Sequence, residues 1–203
     1  MMRQEDVLRL FESVGAIRRG HFELTSGLHS DSYVQCALVL QYPRYAEALG
    51  RALASEFHDL RIDCVVSPAV GGIVLGHEVA RALCVTPDLP GVRALFVERD
   101  MQGVMSLRRG FEIQHGESVL VVEDVWTTGG STFETMRVVE AAGGRVMGAG
   151  ALIDRSGGRI EFPVRAEALL DLKLESYEPE ECPLCRQGSP AVRPGSRLLR
   201  TSP

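Results

Sequence analysis

The chain has 203 residues, 45% of them hydrophobic, and a formal net charge of -5. That length and apolar content suffice for one buried core with a small accessory lobe, and the acid excess argues against a general nucleic-acid binder. No apolar run approaches the ~20 residues that cross a bilayer, and the amino-terminal MMRQEDVLRLFESVG reads as an amphipathic helix instead of a signal peptide, so a cytoplasmic protein with no membrane partner is expected.

In chain order, residues 4–14 are the first expected helix, and residues 21–24 and 33–36 are short strands flanking a Thr-Ser-Gly turn. Together residues 1–42 would form an N-terminal helix and a small hood. Pro43 suits the first turn of a helix over residues 43–60, whose Ala46, Leu49, Leu53 and Phe57 fall on one face. Strands are expected at residues 62–66, 94–97, 119–122, 146–153 and 168–171, with helices at 72–84 and 131–142. Such alternation implies an α/β fold, a doubly wound and mainly parallel sheet with helices on both faces, over residues 43–175. Residues 176–203, rich in Pro, Gly and charge, read as a surface tail without regular structure.

The most informative stretch is VLVVEDVWTTGGST, residues 119–132. Its apolar start suits a strand buried on both faces, and Glu123 and Asp124 then emerge at the carboxyl end, where ligands bind in open α/β sheets. The loop from Thr127 through Thr128, Gly129 and Gly130 to Ser131 follows, and Ser131 with Glu134 has the spacing of a capping box. Sugar hydroxyls donate to carboxylates, whereas a phosphate accepts from backbone amides and hydroxyls at a helix start. A sugar phosphate therefore matches both halves of the stretch. The plainer alternative is a solvated turn followed by an ordinary helix cap, and the acid pair directly before the loop argues against it. A second loop, Ser67 to Gly72, also leaves a strand and enters a helix, so its amides suit another anion.

The 119–132 stretch resembles the phosphoribosyl-diphosphate loop of the type I phosphoribosyltransferases, and EDVWTTGGS is similar to the form found in orotate phosphoribosyltransferases. GHFELTSGLHS, SPAVGGIVLG, FVERDMQGVMSLRRGF and Asp154-Arg155 extend the resemblance over most of the chain. It implies a type I phosphoribosyltransferase-like fold and transfer of a phosphoribosyl group from phosphoribosyl diphosphate to orotate, with Mg²⁺ as cofactor. By the same resemblance Glu123, Asp124 and Arg99 are catalytic. Val125, Trp126 and the Thr127 to Ser131 loop would bind phosphoribosyl diphosphate, joined by Ala69, Val70, Gly71 and Gly72 at the leaving diphosphate and by Arg99. Thr127, Arg155, Ser26 and Gly27 would contact orotate. No protein group is assigned as a direct Mg²⁺ ligand; the ion is expected on substrate and water near Asp124. Residues 98–110 would form a mobile cover acting on the neighbouring subunit of a homodimer with shared active sites, with Arg108 and Arg109 as further cations.

Many members of the family carry lysines where this chain has Thr25, Gly71 and Asp100, and a small aliphatic residue where it has Trp126. The resemblance is to a short-loop branch in which arginines supply the charge, and the indole either packs beneath the loop or narrows the base pocket. Two other readings stay open: a phosphoribosyltransferase for another base, and a non-catalytic sensor of phosphoribosyl diphosphate, although no DNA- or RNA-binding module is evident.

Cys36, Cys64 and Cys84 sit in apolar surroundings and read as core thiols. Cys182 and Cys185 form a CPLC unit that is half of a zinc site or a redox pair; without a second such unit or a nearby histidine, structural thiols are the first reading and a metal shared across a dimer the second. The histidines form no evident metal set, His21 and His29 merely flanking the hood turn.

Overall fold

The structure is a computed structural model and describes residues 2–24, 27–84 and 91–194. The central strands are β3 (Cys64–Pro68), β4 (Arg93–Arg99), β5 (Met105–Leu107), β6 (Ser118–Trp126), β7 (Arg145–Asp154) and β8 (Arg165–Asp171). They lie in the order β5-β4-β3-β6-β7-β8, and all are parallel to their neighbours except β5, which returns antiparallel along β4. From β3 the chain winds outward to β4, and from β6 it winds the other way to β7. The crevice between β3 and β6 is therefore the point of reversal at which open α/β sheets hold ligands.

Alternation along the strands explains the layers. Val65, Leu120, Val122 and Leu152 face one core with α1 (Gln4–Ser13), α3 (Pro43–Ser55) and α4 (Gly72–Leu83), while Cys64, Val66, Val119 and Val121 face the other with α5 (Gly130–Ala141). Leu49, Leu53 and Phe57 are fully buried, as their spacing predicts, each contributing about 1.5–3 kcal/mol on leaving water. The helix that carries the first two ends at Ser55, short of the expected residue 60, and Phe57 packs from the following turn.

The hood is a three-stranded antiparallel sheet of β1 (Ile17–Glu23), β2 (His29–Val34) and β9 (Ser176–Tyr177). A short α2 (Ala37–Leu40) links it to the core, and α6 (Pro183–Arg186) follows it in the tail. The described part of the tail is thus largely irregular, as expected, but carries two short elements. It pairs with β2 through Ser176 and Tyr177 and with β1 through Val192, whose amide and carbonyl bond to His21 and Glu23.

Candidate active site

The β6 strand runs four residues past the expected end because its two neighbours stop at different places. It pairs with β3 only as far as Val121, but with β7 as far as Trp126. Glu123 and Asp124 consequently sit inside the strand on an edge that β3 has vacated, held by one neighbour and open to the crevice on the other side.

Both carboxylates are largely withdrawn from water. Burial pushes Glu123 up to about 7, against a hydrogen bond from the Thr132 hydroxyl that favours its charged form. Burial also raises Asp124, opposed by the Val125 amide, which donates to Oδ1 at 3.0 Å. Thr132 thus joins the site from the first turn of α5, a role its place at the end of VLVVEDVWTTGGST hints at but does not specify.

The loop after β6 turns sharply at Gly129, whose φ of 74° is left-handed. A Cβ there would also meet Ile160, Phe162 and Phe133 at 3.0–3.3 Å, so only glycine lets the loop enter α5 at this angle. Thr127, Thr128 and Gly130 are exposed, and the opening turn of a helix leaves its amides without intrahelical acceptors. The expected capping box is absent. Gly129 is the N-cap and no side chain caps it; the helix begins one residue before Ser131, and Glu134 pairs with Arg99 at 2.7 Å instead of reaching back to the Ser131 amide.

Opposite the acids, the loop after β3 carries a cis peptide between Ala69 and Val70 and reaches α4 through Gly71 and Gly72. An ideal Cβ on Gly71 would lie 2.6 Å from Asp124 Oδ2, so the two loops close on each other across the crevice.

This geometry occurs in a chain whose residues 39–163 match the model of the phosphoribosyl transferase domain. The orotate phosphoribosyltransferase of Caldanaerobacter subterraneus subsp. tengcongensis is 54% identical over 198 residues, covering 98% of this chain and all of the relative. That of Pelotomaculum thermopropionicum is 55% identical with the same coverage. This chain belongs to the orotate phosphoribosyltransferase family. Among solved structures, the family's enzyme from Aeropyrum pernix superposes with a TM-score of 0.66 at 26% identity, over 82% of this chain and 94% of that one. The Mycobacterium tuberculosis orotate phosphoribosyltransferase bound to Fe(III) dicitrate gives 0.62 at 25% identity, over 82% and 97%.

The remaining residues expected from the family resemblance divide into those near the crevice and those not. Arg155 follows β7 with its amide bonded to the Trp126 carbonyl at 2.8 Å, one strand from the acids. Its guanidinium Nε is buried without a hydrogen-bond partner, and no carboxylate pairs with the side chain among the described residues. Desolvation lowers its basicity, partly offset by the neighbourhood of Cys36 and Tyr33. Cys36 itself, missed as a site neighbour, sits 3.7 Å from the Asp124 carbonyl, and burial raises its thiol well above the usual range.

Trp126 is buried with its ring tilted against Phe162 at 4.7 Å, beside the loop that Gly129 turns, which fits the first of its two expected placements. Gly27 lies in the hood turn with a left-handed φ of 85°, whereas Ser26 lies outside the described residues. The segment expected to be a mobile cover includes the hairpin of β4 and β5: Asp100 Oδ1 accepts from the amides of Gln102 and Val104, and Arg109 binds Glu98 at 3.0 Å with Arg108 nearby at 3.9 Å. Arg99 at its base also donates to the Gly103 carbonyl. Cys36 and Cys64 are core thiols as expected, but Cys84 is exposed at the end of α4. The histidine reading requires a larger correction: His21 and His29 are buried and converge on Cys182 and Cys185.

Proposed function

We propose that this chain transfers the 5-phosphoribosyl group of phosphoribosyl diphosphate to orotate, giving orotidine 5′-phosphate and diphosphate. The observation that carries the reading is the pairing, on one strand and its following helix, of two half-buried carboxylates with an amide-rich loop. Glu123 and Asp124 accept from the ribose hydroxyls, and the loop from Thr127 to Ser131 takes the 5′-phosphate. As the anomeric C–O bond to diphosphate breaks and the bond to the ring nitrogen forms, positive charge grows on the ribose ring. The acid pair lies beside that charge, and no covalent nucleophile is needed. Ala69 to Gly72 offer backbone groups to the departing diphosphate. Arg155, half-buried with an unpartnered Nε, supplies the cation that the orotate carboxylate requires.

Glu123 and Asp124 also present oxygens of the hard type that Mg²⁺ accepts alongside phosphate and water; an ion held near them would supply charge neutralisation to the leaving diphosphate. Arg99 brings further charge once its pair with Glu134 opens. We read the active unit as a homodimer with shared sites: Met101 and Val104 on the hairpin and Val70 on the diphosphate loop are 97%, 58% and 82% exposed, apolar surface that a partner would cover. The unpaired thiols of Cys36 and Cys64 suit a reducing, cytoplasmic compartment.

The test is a base panel. Purified protein with phosphoribosyl diphosphate and Mg²⁺ should release diphosphate with orotate and not with uracil or hypoxanthine. Release with hypoxanthine alone would assign another base, and tight sugar binding without release for any base would make the chain a sensor.

A further inference from the structure

Two parts of the chain far apart in sequence meet on the side of the hood. The antiparallel pairing of β1 and β2 slips between Arg19 and Phe22, so that Gly20 and His21 together oppose one residue of β2. A bulge of this kind re-aims a side chain, and here it buries the His21 ring beside His29. The tail then delivers Cys182 and Cys185, 161 and 164 residues from His21, at the start of and within α6.

His21 Nε2 lies 2.9 Å from His29 Nδ1, 3.5 Å from Cys182 Sγ and 3.7 Å from Cys185 Sγ, and His29 Nδ1 lies 3.2 Å from Cys185 Sγ. All four atoms fall within 4.8 Å of one another. A tetrahedral zinc ion with two nitrogen and two sulfur ligands sets edges of about 3.3–3.8 Å from its ordinary bond lengths. Hydrogen bonding alone accounts poorly for the cluster. His21 Nδ1 donates to the Ser189 carbonyl at 2.8 Å, which leaves Nε2 a single lone pair facing three heteroatoms. That same bond fixes the tautomer and ring orientation a metal-bound histidine needs, as carbonyl partners do behind many zinc ligands.

We propose that His21, His29, Cys182 and Cys185 bind one zinc ion that staples the tail to the hood. Two thiolates and two imidazoles gathered within 4.8 Å of one another are a donor set that selects zinc among common divalent ions, and four protein ligands leave no open position, which marks a structural site. The ion would hold together what short pairings cannot: β9 contributes only two residues to the hood sheet, and Val192 contributes one bridge. Because it joins the two ends of the chain, it restricts the unfolded state across a long loop.

The test uses the full chain, purified without a polyhistidine tag or chelator. Elemental analysis should find about one zinc per chain. Exchange into Co²⁺ should give the intense visible bands of tetrahedral cobalt together with thiolate-to-cobalt charge transfer. Cys185→Ser should weaken retention by more than about 100-fold, whereas Cys84→Ser, an exposed thiol elsewhere, should retain the full complement. If Cys185→Ser fails to fold, the cobalt spectrum of the unaltered chain decides alone. A reduced chain that neither carries nor takes up zinc, an octahedral cobalt spectrum, or a Cys182–Cys185 disulfide in the freshly purified protein would each overturn the proposal.

Discussion

The carboxylate of Asp124 rests over the α-carbon of Gly71, so closely that a Cβ on Gly71 would meet all three carboxyl atoms at 2.6–2.9 Å. Gly71 has an ordinary helical φ of -60°, so its backbone does not require glycine; only the neighbouring acid does. Gly71→Ala should therefore leave stability within about 1 kcal/mol while pushing Asp124 aside. Misplacing a positioned group by such a step costs about 100-fold in kcat/KM. Paired thermal melts and steady-state kinetics check this, and a variant with full activity would show that Asp124 is free to move without consequence.

Glu123 predicts an unusual pH dependence. Its native value of about 7 lies above the ordinary 4.5, so between those values the unfolded chain has released a proton that the folded chain keeps. Stability should fall as pH rises through this window, by at most about 3 kcal/mol, and the loss is complete above it. Glu123→Gln should remove that slope. Urea midpoints for both proteins at about pH 5 and about pH 8 isolate the effect, since other groups cancel in the difference. Equal slopes would mean that the carboxylate ionises as freely in the fold as in water.

Arg155 is half-buried, and its Nε is cut off from water without a partner, an arrangement that costs stability unless an anion is to be bound. Arg155→Ala should reduce kcat/KM for orotate by about 10- to 100-fold, the worth of a charge-assisted hydrogen bond, with the KM for phosphoribosyl diphosphate little changed. The melting temperature should hold or rise. A lower melting temperature with unchanged orotate kinetics would make Arg155 a structural residue.

Much of this site is legible in the sequence because its signals are local. A buried strand, two acids and a hydroxyl-glycine loop occupy one continuous stretch, and the apolar spacing of Leu49, Leu53 and Phe57 announces the helix side of the core. What escaped depends on contacts between distant segments. The end of β6 is set by unequal pairing with β3 and β7, which no residue of β6 encodes alone. Ser131 and Glu134 have capping spacing, yet Arg99 on another strand captures the glutamate. The tail carries no periodicity because its pairings are one or two residues long, and the CPLC unit gains its histidines only when the hood folds beneath it.

The central claim is that the acid pair and the loop after β6 grip the two ends of ribose 5-phosphate. A crystal soaked with phosphoribosyl diphosphate and Mg²⁺ tests it most directly. The 5′-phosphate should lie against the amides of Thr127 to Ser131, and the ribose hydroxyls within hydrogen-bond reach of Glu123 and Asp124. Sugar phosphate bound elsewhere, with that crevice left to solvent, would contradict it.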